Sequence, residues 1–88
     1  MLKLAFARNK MSNLEKYQNA FTTSFEISNE ALAGLTYQSI PEWDSVGHMT
    51  LMGELEDAFD ITLEMDDIID FSSYEKGIET LAKYNVSI

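Results

Sequence analysis

Apolar residues recur at helical spacing in four stretches of this chain, and no stretch alternates in the way a half-buried strand would. In the first stretch, the apolar residues that stand three or four positions apart are Leu14, Tyr17, Phe21 and Phe25. Ser12 and Glu15 fit the S-x-x-E capping box that opens many helices. We therefore predict a helix over residues 12–25.

The three remaining stretches complete the predicted fold. The second covers residues 45–59, with Asp44 as the expected N-cap. A short third helix is predicted over residues 64–71, with three residues facing inward: Met65, Ile68 and Phe71. A fourth is predicted over residues 73–84, with helical spacing between Tyr74, Ile78 and Leu81. The prediction is an all-α fold: a small irregular four-helix bundle with a long first loop and a short third helix.

The second predicted helix has two apolar faces. Its larger face spans roughly 120° of the helical wheel, and it holds six residues: His48, Leu51, Met52, Leu55, Ala58 and Phe59. Val46 and Met49 lie outside this arc, beside Glu56 and Asp57. Because a helix needs only one face to join a core, we interpret the smaller face as a candidate contact surface. Methionine suits such a surface, since its side chain adapts to different partners.

The connection between the first two helices, residues 26–43, is long and contains Gly34 and Pro41. Loops of this length are usually functional or held in place by their own side chains. Five apolar residues are scattered along it: Ile27, Leu32, Leu35, Tyr37 and Ile40. We expect these side chains to hold the connection against the helices.

Fifteen acidic residues face six basic ones, for a net charge of −9. Three of the bases, Lys3, Arg8 and Lys10, lie in the first ten residues, so residues 11–88 carry three bases against fifteen acids, a net −12. Such a surface repels phosphate backbones and anionic lipid, so we expect no nucleic-acid partner and no membrane insertion. It should attract basic protein surfaces, although a simple contribution to solubility is the alternative.

The length of the chain suffices for one small domain, which we assign to residues 12–88. Residues 1–11 are predicted to be an N-terminal extension, and we expect it to be flexible. No apolar run approaches the roughly 20 residues that span a bilayer, and residues 1–10 are too short and too interrupted for a signal peptide. These features predict a cytoplasmic protein, which we expect to be a monomer.

Metal binding is not predicted. The chain has no cysteine and a single histidine, which excludes thiolate and multi-histidine sites. The acidic run over residues 60–70 does not fit a calcium-binding EF-hand loop, because Met65 and Phe71 stand where that loop needs glycine and glutamate.

Ser45 begins the second predicted helix, and two interpretations of it compete. Serine and aspartate are common at helix starts, so Asp44 and Ser45 would serve only to begin the helix. In the functional interpretation, a helix N-terminus favours an attached phosphate, so Ser45 is well placed to carry a phosphodiester. A hydrolase that uses Ser45 with His48, three residues later, is disfavoured because the G-x-S-x-G elbow is missing.

The stretch WDSVGHMTLMGELEDAFDI, residues 43–61, resembles the modification-site helix of acyl carrier proteins. In that family an Asp-Ser-Leu motif opens the second helix, and here the motif reads Asp44-Ser45-Val46. The helix end, EDAFD over residues 56–60, also resembles the family pattern. The resemblance covers roughly residues 12–84, and the helix order, the long first loop and the acidity agree with it.

The resemblance implies a freestanding acyl carrier protein that is not itself an enzyme. A phosphopantetheinyl transferase would attach 4′-phosphopantetheine from coenzyme A to Ser45, and the thiol of this cofactor would hold an acyl group as a thioester. The lack of cysteine agrees with this, because the working thiol would belong to the cofactor. Basic surfaces of enzymes that load and transfer acyl groups, in lipid or fatty acid biosynthesis, would contact five residues: Asp44, Val46, Met49, Glu56 and Asp57.

Three positions depart from the family pattern. Thr50 stands where the family often has an acid, Gly53 stands where a larger apolar residue is common, and Trp43 replaces a glycine-rich approach to the motif. These departures favour a specialised carrier. The alternatives are a carrier of the same fold loaded with an amino acid or another acid, and a phosphopantetheine-free helical adaptor that binds through Val46 and Met49.

Overall fold

The computed structural model describes residues 11–88, which form four α-helices and one short 3₁₀ helix. The α-helices are α1 (Asn13–Phe25), α2 (Ser45–Phe59), α3 (Met65–Asp70) and α4 (Tyr74–Ala82). The 3₁₀ helix, Asn29–Ala31, lies in the connection between α1 and α2, and an isolated bridge pairs Thr36 with Ser73. The predicted all-α fold is confirmed, whereas the predicted N-terminal extension, apart from Met11, lies outside the described residues. No helix of the described part is long and apolar enough to cross a membrane.

Three of the four helices begin at side-chain caps. The Ser12 hydroxyl accepts a hydrogen bond from the Glu15 amide, and the Glu15 carboxylate accepts one from the Ser12 amide, so the predicted capping box is present. Asp44 caps α2 as predicted, and the Ser73 hydroxyl caps α4. A cap acts over three residues of sequence, which is why these starts could be predicted.

Aromatic side chains form the centre of the core. The Phe21 ring lies 5.0 Å from the Tyr17 ring, 5.6 Å from Trp43 and 5.1 Å from Tyr74, measured between ring centroids. The Tyr17 hydroxyl donates a 2.6 Å hydrogen bond to the Tyr74 carbonyl oxygen. Burial raises the pKa of the Tyr17 phenol well above its usual range, and the neighbouring Tyr74 and Glu75 raise it further. The phenol therefore stays neutral and serves as a hydrogen-bond donor inside the core.

The long connection lies against the helices, as expected. Leu32 and Leu35 are buried. Two backbone hydrogen bonds of 2.9 Å join the connection to the start of α4 and the residues just before it. The Tyr37 amide donates to the Ser72 carbonyl oxygen, and the amide of Tyr74, the first residue of α4, donates to the Leu35 carbonyl oxygen. The connection is therefore held by backbone pairing as well as by its apolar side chains.

One residue predicted to face the core does not: Met65 is 67% exposed, so this prediction is wrong. Leu14, which shares the helical spacing of the buried Tyr17, is 44% exposed. Helical spacing places Leu14 on the face of Tyr17 but does not show how far along the helix the core extends. Helix α3 has only six residues, less than two turns, so spacing alone does not orient it. Ile69, one turn after Met65, is also exposed, and α3 turns Ile68 toward the core.

Candidate functional site

Ser45 is the first residue of α2, and its side chain is exposed. The helix is capped by the preceding residue, because the Asp44 carboxylate accepts a 2.8 Å hydrogen bond from the Gly47 amide. Asp44 has the extended backbone typical of an N-cap, with φ of −102° and ψ of −168°. The cap therefore belongs to Asp44, and the Ser45 hydroxyl is displayed at the helix start without being needed to begin the helix.

Gly47 allows the preceding loop to pack closely on the first turn of α2. A Cβ atom at residue 47 would overlap the carbonyl oxygen of Glu42, a backbone atom that cannot simply rotate away. The loop itself is a tight turn, in which the Trp43 amide donates a 3.1 Å hydrogen bond to the Ile40 carbonyl oxygen. This requirement was not predicted, and its one signal in the sequence is a glycine two residues after Ser45.

Trp43, which precedes the cap, is fully buried. Its ring stacks on Phe25 of α1 with centroids 5.3 Å apart and planes 29° apart, and it meets the Phe21 ring edge-on. Its carbonyl oxygen accepts a 2.9 Å hydrogen bond from the Gln38 amide. Trp43 therefore anchors the start of α2 in the core, directly beside an exposed serine.

His48 lies one turn into α2 and is half-buried. Its Nδ1 atom is 2.9 Å from the Trp43 indole nitrogen, and its Nε2 atom is 2.8 Å from the Ile68 carbonyl oxygen. Both ring nitrogens are thus engaged by other residues. The arrangement does not favour a Ser45–His48 catalytic pair, because the ring would have to give up one of these partners to free a nitrogen for the serine proton.

The smaller apolar face of α2 is exposed, as predicted. Val46 is 76% exposed and Met49 is 54% exposed, and Val46 directly follows Ser45. On the opposite face, three side chains are buried in the core: Leu51, Met52 and Leu55. The other three residues predicted for that face, His48, Ala58 and Phe59, are only partly buried. The two faces of α2 therefore differ sharply in exposure.

The acidic residues predicted to bind partners have different surroundings. Glu56 is half-buried, and its carboxylate accepts a 2.9 Å hydrogen bond from the Leu63 amide, which holds the chain where it leaves α2. Asp44 is occupied with capping. Asp57 is exposed and, with Glu54 and Lys16, lines a groove of about 600 Å³ between α1 and α2. Of the three predicted acids, Asp57 is the one whose side chain is presented to solvent without a role in holding the fold.

Comparison with known proteins adds no relative. A scan against protein-family models and searches of curated proteins and of solved structures returned no match to this chain. Within residues 11–88, no group of three or more His, Cys, Asp or Glu side chains is arranged to hold a metal ion. The assignment of a function therefore depends on the residues and geometry around Ser45.

Proposed function

We propose that this chain is a freestanding, cytoplasmic acyl carrier protein, that its helices form the irregular four-helix bundle of that family, and that Ser45 carries 4′-phosphopantetheine. The observation that carries the proposal is that two neighbouring residues at the start of α2 have separate roles. Asp44 caps the helix, while Ser45 is exposed and holds no part of the fold together. This is the arrangement that a covalent attachment site needs, because the hydroxyl can be modified without loss of the cap.

The residues around Ser45 fit a phosphodiester-linked group. A phosphate on the Ser45 oxygen would lie at the N-terminal end of a helix of 15 residues, where the unpaired amides and the helix dipole favour negative charge. The exposure of Ser45 and Val46 leaves room for a long arm to extend from the surface. When bound, the cofactor supplies the thiol that this cysteine-free chain lacks.

The face beside Ser45 fits the docking of partner enzymes. Val46 and Met49 are apolar and exposed on the first turns of α2. Asp57 lies farther along the same side of the helix and can steer a basic partner. Every enzyme that loads or unloads the carrier has to reach Ser45, so a contact surface directly next to it would serve all of them.

The test is the intact mass of the protein after incubation with coenzyme A and a broad-specificity phosphopantetheinyl transferase. We expect the mass to rise by one phosphopantetheine in the wild type and not at all in Ser45→Ala. The free energy of unfolding of the alanine variant should lie within about 1 kcal/mol of the wild-type value, because Asp44 still caps the helix. Ser72→Ala, a change at another exposed serine, is the matched control and should be modified normally.

Modification of Ser45→Ala would contradict the proposed attachment site. If several transferases all fail to modify the wild type, the carrier function itself is wrong, and the helical adaptor that binds through Val46 and Met49 becomes the better interpretation. The choice between an acyl cargo and an amino-acid cargo would follow from incubating the modified protein with each class of loading enzyme.

A further inference from the structure

A chain of two hydrogen bonds links the residue before the cap of α2 to helix α3. It runs from the Trp43 indole nitrogen to His48 Nδ1, 2.9 Å away, and from His48 Nε2 to the Ile68 carbonyl oxygen, 2.8 Å away. An indole nitrogen can only donate and a carbonyl oxygen can only accept. His48 must therefore accept at Nδ1 and donate at Nε2, which requires a neutral ring in a single tautomer.

The two ends of this hydrogen-bond chain differ in how strongly the rest of the fold holds them in place. Trp43 is fully buried and stacked on Phe25, so its position is set by the core. Helix α3 has only six residues, and its N-cap residue, Glu64, makes no side-chain capping hydrogen bond. Two of its apolar side chains, Met65 and Ile69, are exposed. A helix this short has little stability of its own, so contacts such as the one from His48 have to hold it in place.

We infer that Trp43 and His48 are positioning residues that hold α3 in a fixed place against the Ser45 end of α2. The surface that a transferase meets around Ser45 would then include a correctly placed α3. This positioning role deepens the proposed function and rests on it. The hydrogen-bond chain itself does not rest on it and can be measured in the unmodified protein.

Protonation of His48 would break the chain. A protonated ring carries hydrogen on both nitrogens, so its Nδ1–H would point at the indole N–H. Two aromatic rings lie edge-on to the imidazole. The ring of Tyr37, in the connection between α1 and α2, has its centroid 5.4 Å from that of the imidazole, and the Phe71 ring centroid is 6.1 Å away. On α2 itself, the His48 amide bonds the carbonyl oxygen of Asp44, whose carboxylate is committed to Gly47.

Among residues 11–88, no carboxylate forms an ion pair with the His48 ring. Asp66 and Asp70 flank the bonded carbonyl in sequence, and Asp67 is occupied by Lys83 and Tyr84. The ring is therefore held by its two hydrogen bonds and by the aromatic rings around it.

Two variants of one residue test the proposal. His48→Gln keeps one acceptor and one donor and cannot be protonated, whereas His48→Phe keeps the ring and removes both hydrogen bonds. In the unmodified protein at neutral pH, imidazole ¹⁵N shifts should show a bare Nδ1 and a protonated Nε2. Amide exchange in α3 should be about tenfold faster in His48→Phe, as the loss of ordinary hydrogen bonds would produce. Amide exchange in α1 should not change.

The loading reaction tests the positioning role. We expect His48→Phe to raise the KM of the transferase for the carrier several-fold with little change in kcat, and His48→Gln to stay near the wild type. This split between KM and kcat, together with the near-normal KM of His48→Gln, distinguishes positioning of α3 from a general loss of folding.

The possible outcomes test the hydrogen-bond chain, the positioning role and the proposed function separately. The opposite tautomer, or unchanged α3 exchange in His48→Phe, would overturn the hydrogen-bond chain. A KM of His48→Phe equal to that of the wild type would overturn the positioning role. If His48→Phe does not fold, a several-fold rise in the KM of His48→Gln would overturn it, because that variant keeps both hydrogen bonds. If no protein is loaded at all, the proposed function has failed, while the spectroscopic measurements still decide whether the chain exists.

Discussion

Trp43, Asp44 and Ser45 are neighbours in sequence with three different roles. Trp43 is buried in the aromatic core, Asp44 caps α2 with its carboxylate, and Ser45 presents its hydroxyl to solvent. The extended backbone of Asp44 makes this possible, because it turns consecutive side chains in different directions before the helix begins. The sole tryptophan of the chain therefore anchors the turn that displays the serine.

Two glycines give a residue-scale prediction because their surroundings are opposite. A Cβ atom at Gly77 of α4 would overlap the Tyr17 hydroxyl and the Phe71 ring, while a Cβ atom at Gly53 of α2 would meet nothing within 4 Å. We expect Gly77→Ala to lower the free energy of unfolding by about 1–3 kcal/mol through overpacking. Gly53→Ala should raise it by about 0.5–1 kcal/mol, because alanine favours the helix. Urea unfolding measures both, and a change of the same sign in both variants would contradict the packing of α4.

At the scale of elements, α2 carries out two tasks on two faces. One face buries three side chains in the core, and the other exposes Val46 and Met49 beside Ser45. The carboxyl end of α2 is finished by Glu56, whose carboxylate holds the Leu63 amide. A single helix of 15 residues thus supplies a core face and, in the proposed function, both the attachment site and the contact surface for partners.

The contact surface that we propose on α2 predicts a local effect of charge on the loading rate. Asp57→Lys should slow loading by the transferase, since it replaces an attraction for basic partners by a repulsion, and added salt should narrow the gap to wild type. Glu79→Lys on α4 is the matched control and should have little effect; its ion pair with Lys76 is exposed and contributes little. The measurement is the loading rate across an ionic-strength series. Equal slowing by the two variants would mean that the loading rate depends on the net charge of the protein and not on a localised contact surface.

At the scale of the whole molecule, acidic side chains far outnumber basic ones. Residues 11–88 contain three basic side chains, and each lies near an acid or an aromatic ring. Lys76 pairs with Glu79, Lys83 pairs with Asp67, and the Lys16 ammonium lies 5.9 Å from the centre of the Phe59 ring. The Asp67 carboxylate also accepts a hydrogen bond from the Tyr84 hydroxyl, so α3 is tied to the C-terminal segment.

This Asp67 cluster predicts how stability depends on pH. Hydrogen bonds from Lys83 and then Tyr84 hold the pKa of Asp67 below its ordinary value. A carboxyl group whose pKa is lowered by folding stabilises the fold above its ordinary pKa, and the stabilisation is lost as the pH falls through the lowered value. The stability difference between the wild type and Asp67→Asn should therefore shrink between about pH 5 and 2. Urea unfolding at each pH measures this difference in the free energy of unfolding, with Asp66→Asn as the exposed control. A difference independent of pH would contradict the lowered pKa of Asp67.

The starts of three helices, the all-α fold and the two faces of α2 could be predicted from the sequence. These features depend on residues three or four positions apart, because a cap acts within one turn and helical spacing repeats with each turn. Ser45 was found in the same way, since both its place at the helix start and the motif around it are local.

Roles that depend on residues distant in sequence became visible in the folded chain and not before. His48 bonds a carbonyl oxygen 20 residues away, and Glu56 bonds an amide seven residues away, across the end of its helix. The orientation of α3 was also decided this way, because a helix of less than two turns faces whichever contacts hold it. No local pattern records these partners, since a hydrogen bond across the fold depends on where two elements pack and not on the residues between them.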